Sequence, residues 1–199
     1  MRKFNLLWLL LLFVPLISSD LTLLKTVRSA VRDSQPFRVD FVQQVFLEDE
    51  LEIEESGHIL YQDQTRLLWT YTHPEHKVFL LEGTTYSFYE KESNQLIVGQ
   101  IKEKNQQWIW QLLFSEKVLD DVRCDGDGKT IYIRNDNDDL DFEVSVGPGG
   151  LPLRVKQRDA SGAVHIYEFR NYTRRVKLDP RAFELDLPDD VEVLDGHRP

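Results

Sequence analysis

Two histidines three residues apart, His73 and His76, are the first pattern in this chain that could do chemistry. They could give two ligands to a divalent metal, but a metal site needs three or four ligands with ordered partners behind them. Pro74 and Glu75 between them suit a polar turn joining two strands, so metal binding is not expected. Asp125-Gly126-Asp127-Gly128-Lys129 begins like a calcium loop, yet Lys129 puts a cation where the third ligand belongs and no glutamate closes the loop. A hairpin turn is the better reading. There is no Gly-x-Ser-x-Gly elbow and no glycine-rich phosphate loop before a helix. The carboxylates of Glu48 to Glu55 are explained by a solvated surface, and Asn171-Tyr172-Thr173 is a glycosylation pattern common by chance. Nothing in these residues argues for an enzyme, a metal or a cofactor.

Composition narrows the classes further. Arg2 and Lys3, the apolar run Leu6 to Phe13 and the small-residue exit at Ser18-Ser19 have the form of a cleavable secretory signal over residues 1–19. That leaves 20–199 as a single exported domain. The apolar run is shorter than the ~20 residues that span a bilayer. Without Arg2 and Lys3 the chain carries 22 basic against 34 acidic residues, which speaks against nucleic acid and anionic membrane surfaces as partners. The lone thiol, Cys124, can form no internal bridge, so the core alone must hold the fold. A monomer is expected.

The elements that would position any site are mostly strands. Leu21, Leu24, Val27 and Val31, with Leu23 and Ala30, have helical spacing after Ser19 or Asp20 and predict an amphipathic helix over 20–34, ending before Pro36. Phe37, Val39, Phe41 and Val45 alternate with polar residues as in a half-buried strand, and Glu48 to Glu55 reads as a hairpin tip leading to a strand through Tyr61. Arg66 to Glu90 reads as three consecutive strands, broken at His73-Pro74 and Glu82-Gly83. Further strands are predicted at Leu96 to Ile101, Thr130 to Arg134, Asp141 to Val146, Pro152 to Arg158, Val164 to Tyr172 and Phe183 to Leu187, and a helix over 105–115.

The strands of Arg66 to Glu90 are apolar on both faces: Leu67-Leu68-Trp69, Val78 to Leu81 and Phe88-Tyr89 do not alternate. A sheet with one wet face would alternate, so both sides need a cover. A large sandwich core would satisfy this. So would a concave sheet lined by aromatics and closed by helices around a greasy ligand.

A set of residues distributed along the chain points to the second. Phe37-x-x-x-Phe41-x-Gln43, Gly57, Trp69-x-Tyr71-x-x-Pro74, Leu80-Leu81-x-Gly83 with Tyr89, Leu112-Leu113, Gly150-Leu151-Pro152, Phe169-x-Asn171 and Phe183-x-Leu185-x-x-Pro188-x-x-Val191-x-Val193 occur in this order. Together they resemble the bacterial outer-membrane lipoprotein carrier family, LolA, over nearly the whole mature chain. The resemblance implies a mainly β (α+β) fold: an unclosed, strongly curved antiparallel barrel of about eleven strands, with the N-terminal helix and the middle helical segment as a lid over a hydrophobic cavity. It also implies a periplasmic chaperone that takes acylated lipoproteins from an inner-membrane ATP-driven exporter of the ABC type to an outer-membrane lipoprotein receptor.

On this footing Trp69, Tyr71, Phe79, Leu81, Phe88, Trp108, Ile109 and Leu112 are the expected lining and lid residues. The chain departs from the family at one corner. A basic residue followed by proline commonly occupies the turn after the Gly57 strand and helps hold the lid, whereas this sequence has Asp63-Gln64. Arg66 is the candidate replacement latch. The departure leaves open a different lipid or glycolipid cargo, or a LolA-like sensor or accessory protein that binds lipid and regulates a partner.

Overall fold

The computed structural model describes residues 21–101, 122–126, 128–135, 141–159 and 161–196. The expected signal segment 1–19 and the segment 105–115, with Trp108, Ile109 and Leu112, lie outside them. The chain enters through helix α1 (Leu21–Ser34). Ser34 turns its hydroxyl back to the Ala30 carbonyl, at 2.7 Å, and Pro36 ends the helix. Val27 and Val31 are fully buried and Leu24 nearly so, so the apolar stripe read from the sequence is the buried face.

Twelve strands follow among the described residues: β1 (Phe37–Leu47), β2 (Glu50–Asp63), β3 (Arg66–His73), β4 (Lys77–Glu82), β5 (Thr85–Glu90), β6 (Gln95–Gln100), β7 (Val122–Gly126), β8 (Thr130–Asn135), β9 (Asp141–Val146), β10 (Pro152–Arg158), β11 (Val164–Arg174) and β12 (Glu192–Asp195). They form one sheet in the order β12-β6-β5-β4-β3-β2-β1-β11-β10-β9-β8-β7. Eleven strands pair antiparallel, and β12 adds in parallel at the β6 edge. Sheet ends at β12 and β7 do not meet, so the barrel is unclosed. β1 is the hinge of the topology, because it joins the meander β1–β6 to the meander β7–β11 through its pairing with β11.

The sheet is strongly curved. Trp69 of β3 and Tyr167 of β11 meet edge to face with ring centroids 5.7 Å apart. Between their strands lie β2 and β1, and three strand spacings of ~4.8 Å would separate them by roughly 14 Å in a flat sheet. The same inward bend gathers α1 and residues of β1–β4 and β8–β11 into one core cluster. At Gly57 the bend leaves no room for a side chain: a Cβ there would stand 1.9 Å from the Thr70 carbonyl oxygen.

Three parts of the sequence reading change. Phe183 to Leu187 is not a strand, although burial alternates along it. Its period-2 pattern records an extended segment lying on a surface without a ladder partner. The closing strand is instead β12, four residues with an exposed Val193. β7, which contains Cys124, was not expected, because its charged and small residues Arg123, Asp125 and Gly126 hide any alternation.

The segment between β11 and β12 resolves the two-sided apolar strands. It leaves α1's end through Arg175 N–H to Ser34 O (3.1 Å) and Val176 N–H to Pro36 O (2.9 Å). It then buries Phe183 beneath the Arg66 guanidinium, 5.1 Å from ring centroid to Cζ, and is tied to Asn94 by Asp190 and Glu192. Arg66 points to the face opposite Leu67, so this segment lies on the outer side of the meander, where Val78, Leu80, Tyr89 and Leu96 are buried.

Replacing Gly57 by Ala should destabilise the domain by about 3 kcal/mol or prevent folding, because the obstructing atom is backbone in the neighbouring strand. Urea unfolding of the protein of residues 20–199 measures it. A loss below ~0.5 kcal/mol would show that β2 and β3 can separate at no cost.

Candidate functional site

The ladder registers settle which side chains share the concave face. Tyr61, Ile59 and Gly57 of β2 stand opposite Leu67, Trp69 and Tyr71 of β3; Leu67 and Trp69 stand opposite Leu81 and Phe79 of β4; these face Tyr86 and Phe88 of β5. On the other side Phe41 faces Phe169 and Gln43 faces Tyr167. Every one of the aromatic residues in this row belongs to the cluster that α1 packs on, or is packed against it.

Its centre is a set of four rings. Phe41 meets Trp69 at 5.0 Å and Tyr71 at 5.1 Å, both edge to face, while Trp69 and Tyr71 stack at 6.1 Å and Tyr167 closes on Trp69. Edge-to-face pairs at these distances add about 0.5–1.5 kcal/mol each beyond their area. Phe79 and Tyr86 stack farther along the meander at 5.9 Å, and Phe37 leans on Tyr61 at 5.1 Å under α1.

Hydrogen-bonded and charged groups gather at the Gln43 end of this face, while Tyr61 and Tyr86 bring phenol hydroxyls to the Leu67 end. Tyr71 donates its hydroxyl to Oε1 of the buried Gln43 at 2.9 Å. Burial pushes the Tyr71 and Tyr167 phenols well above their ordinary pKa, so both stay neutral. One step along, Lys77 donates to Glu55 at 3.0 Å and pairs with Glu75 at 3.2 Å. Burial alone would lower the Lys77 pKa, but the hydrogen bonds to Glu55 and Glu75 outweigh it and raise it. The wall is apolar at its centre and ionic at this rim.

Trp69, Tyr71, Phe79, Leu81 and Phe88 are therefore brought together on one face of one sheet. Trp108, Ile109 and Leu112 lie outside the described residues. Arg66 is on the opposite face, where its Nη2 and Nε donate to Glu82 at 2.6 and 2.9 Å and its guanidinium covers Phe183. Asp63 caps the turn before it, accepting from the Thr65 amide and hydroxyl at 2.8 and 2.6 Å. Partial burial pushes the Asp63 carboxyl up, and the Thr65 hydrogen bonds more than offset this, leaving it below the usual range. Sequence reasoning missed Phe41, Tyr61 and Tyr167 as members of the wall. Their strands carry the period-2 signal, but only the pairing of β1 with β11 shows that Tyr167 bends back to Trp69. Among the described residues no group of three or more His, Cys, Asp and Glu side chains is placed to hold a metal.

An open β-shell with an amphipathic helix on its aromatic inner face is the class of structure these elements define. The chain belongs to the family described as outer membrane lipoprotein carrier protein LolA, which it matches over residues 32–186. An uncharacterized conserved protein from Thermus thermophilus shares the fold at 14% identity and a TM-score of 0.58, over 89% of this chain and 99% of that one. A LolA superfamily protein from Nitrosomonas europaea, NE2245, is 12% identical with a TM-score of 0.49, over 83% and 97% of the two chains. A putative outer membrane lipoprotein-sorting protein domain from Vibrio parahaemolyticus is 10% identical with a TM-score of 0.47, over 82% and 95%. No curated protein matches the chain.

Tyr71→Phe should cost about 1 kcal/mol, because the buried Gln43 carbonyl loses its donor. In the Gln43→Leu background the same change should cost markedly less, since the pair is already gone. A double-mutant cycle by urea unfolding checks this. Strict additivity would mean the hydrogen bond contributes nothing to the wall.

Proposed function

We propose that this protein is a non-enzymatic carrier that shields the acyl chains of lipoproteins while they cross the periplasm. The observation that supports it is the Phe41, Trp69, Tyr71 and Tyr167 wall on the concave face, with the apolar stripe of α1 lying on the same cluster. An acyl chain of about fourteen methylenes costs roughly 11 kcal/mol to leave in water at ~0.8 kcal/mol per methylene, so a carrier must enclose it.

Release sets the opposing requirement. A wall that bound as tightly as the burial allows would not give the cargo up, and a lid that fills the empty cavity lowers the net affinity by the contacts the ligand must displace. In this reading α1 and the segment 105–115 are that lid, and Trp69, Tyr71, Phe79, Leu81, Phe88, Trp108, Ile109 and Leu112 are the surfaces exchanged. A latch by Arg66 would act from the outer face, through Phe183. The cargo enters from an inner-membrane ABC-type exporter and leaves to an outer-membrane receptor. Asp63, engaged with Thr65 in place of the family's basic residue, favours a lid closed by other contacts or a different lipid cargo.

Purified mature protein, mixed with inner-membrane vesicles that hold the exporter and a triacylated lipoprotein, should move the lipoprotein into a soluble complex when ATP is added. Lipoprotein that stays in the vesicles would contradict the reading, and mass spectrometry of the soluble complex identifies triacylated peptide or another lipid. The double variant Trp108→Ala, Leu112→Ala should bind a hydrophobic dye several-fold more strongly than the parent. Unchanged or weaker binding would remove the 105–115 segment from the lid.

A further inference from the structure

The β1–β2 hairpin runs past its neighbours. β1 and β2 pair with each other out to Leu47 and Glu50, but β11 follows β1 only to Phe46 and β3 reaches β2 only at Ser56. Residues 50–55 of β2 therefore have a ladder partner on one side alone among the described residues. Such an edge is a row of unpaired N–H and C=O groups, ready to accept another strand.

What the tip exposes is equally specific. Leu47, Leu51 and Ile53 are 46%, 50% and 46% exposed, large apolar side chains gathered at one protruding end. Glu50, Glu52 and Glu54 alternate with them, and no lysine or arginine occurs between Arg38 and Arg66. Glu54 accepts from the Gln44 amide at 2.6 Å, and Glu50 and Glu52 have no cationic partner among the described residues. Soluble proteins blunt such edges with charged side chains, lysine above all, or with proline, and the charges at this edge are all acidic. Here the acidic row repels a second copy of this chain and an anionic bilayer alike. It selects for a cation.

We propose that residues 50–55 of β2 are a docking edge on which a partner protein adds an extended cationic segment as a further strand. The register shift opposite Val45 and Phe46 puts Glu50 with Ile53 on one face and Leu51 with Glu54 on the other, so the incoming segment meets a glutamate with a lysine or arginine and an apolar residue with an apolar one on each face. The inference does not depend on what the concave face holds.

The probe is the acetylated and amidated heptapeptide Lys-Lys-Val-Val-Lys-Lys-Val, which when extended shows lysine and valine on both faces, titrated into the protein of residues 20–199 at low salt. It should bind and protect the backbone amides of residues 50–55 from hydrogen exchange. The same peptide with glutamate in place of lysine should not bind. Glu50→Lys with Glu52→Lys and Glu54→Lys should weaken binding at least tenfold, and Leu51→Ser with Ile53→Ser should weaken it independently. All five positions are exposed, so thermal melting should match the parent for both variants. N-methylation of alternate residues of the peptide should abolish binding, because it blocks strand pairing and leaves the charge. Equal affinity of the N-methylated peptide, protection elsewhere in the sheet, or an unaffected triple variant would each overturn the proposal. So would co-sedimentation of the protein with vesicles of phosphatidylcholine and phosphatidylglycerol that is lost on Leu51→Ser, since that assigns the tip to a lipid surface.

Discussion

Strands that are apolar on both faces must be covered on both, and the rest of this molecule follows from that constraint. β3, β4 and β5 cannot sit at a wet surface on either side, so the chain supplies two different covers. Outside, the segment after β11 crosses the meander, buries Phe183 under Arg66 and ends as a parallel strand beside β6. Inside, the cover is α1 and the far side of the sheet itself, brought over by curvature until Tyr167 touches Trp69. The outer cover is fastened at both ends by backbone hydrogen bonds and a ladder. Of the inner cover, α1 has no ladder. Apart from the Arg175 N–H to Ser34 O bond at its end, α1 meets the wall by side-chain packing, which is why the proposed lid is on the inside.

A carrier has to reconcile burial with release. Four interlocked rings around Phe41 and Trp69 give a preformed wall, while the Tyr71 to Gln43 hydrogen bond and the Lys77 cluster put the charged groups at one end. An acyl chain laid along that wall would exchange contacts with helix side chains, and only the difference between two apolar burials would appear as affinity.

Much of the fold was legible from residue spacing. α1 was readable from its stripe, and the three strands of Arg66 to Glu90 were readable from turn signals, because both are local properties. The five lining candidates in β3, β4 and β5 share a face for the same reason: Trp69, Phe79 and Phe88 are linked by hairpin registers that short turns fix. Non-local pairing was not legible. No pattern in β1 or β11 announces that they join, so Tyr167 was absent from the expected wall. Phe183 to Leu187 shows the converse error, where alternation of burial gave the appearance of a strand to a segment that pairs with nothing. Arg66 was singled out from the sequence, but its side of the sheet follows only from the ladder that pairs it with Glu82.

A carrier of this build requires that its two apolar faces be unequal, the concave one receiving a ligand and the convex one permanently covered. NMR of the unmodified protein of residues 20–199 with a stearic acid spin-labelled near its methyl end separates the two faces. Strong paramagnetic broadening of the Trp69, Tyr71 and Phe88 side-chain signals is expected, with Tyr89 and Leu96 unaffected. Broadening centred on Tyr89 and Leu96, or none on either face, would show that the concave wall is a core and not a binding surface.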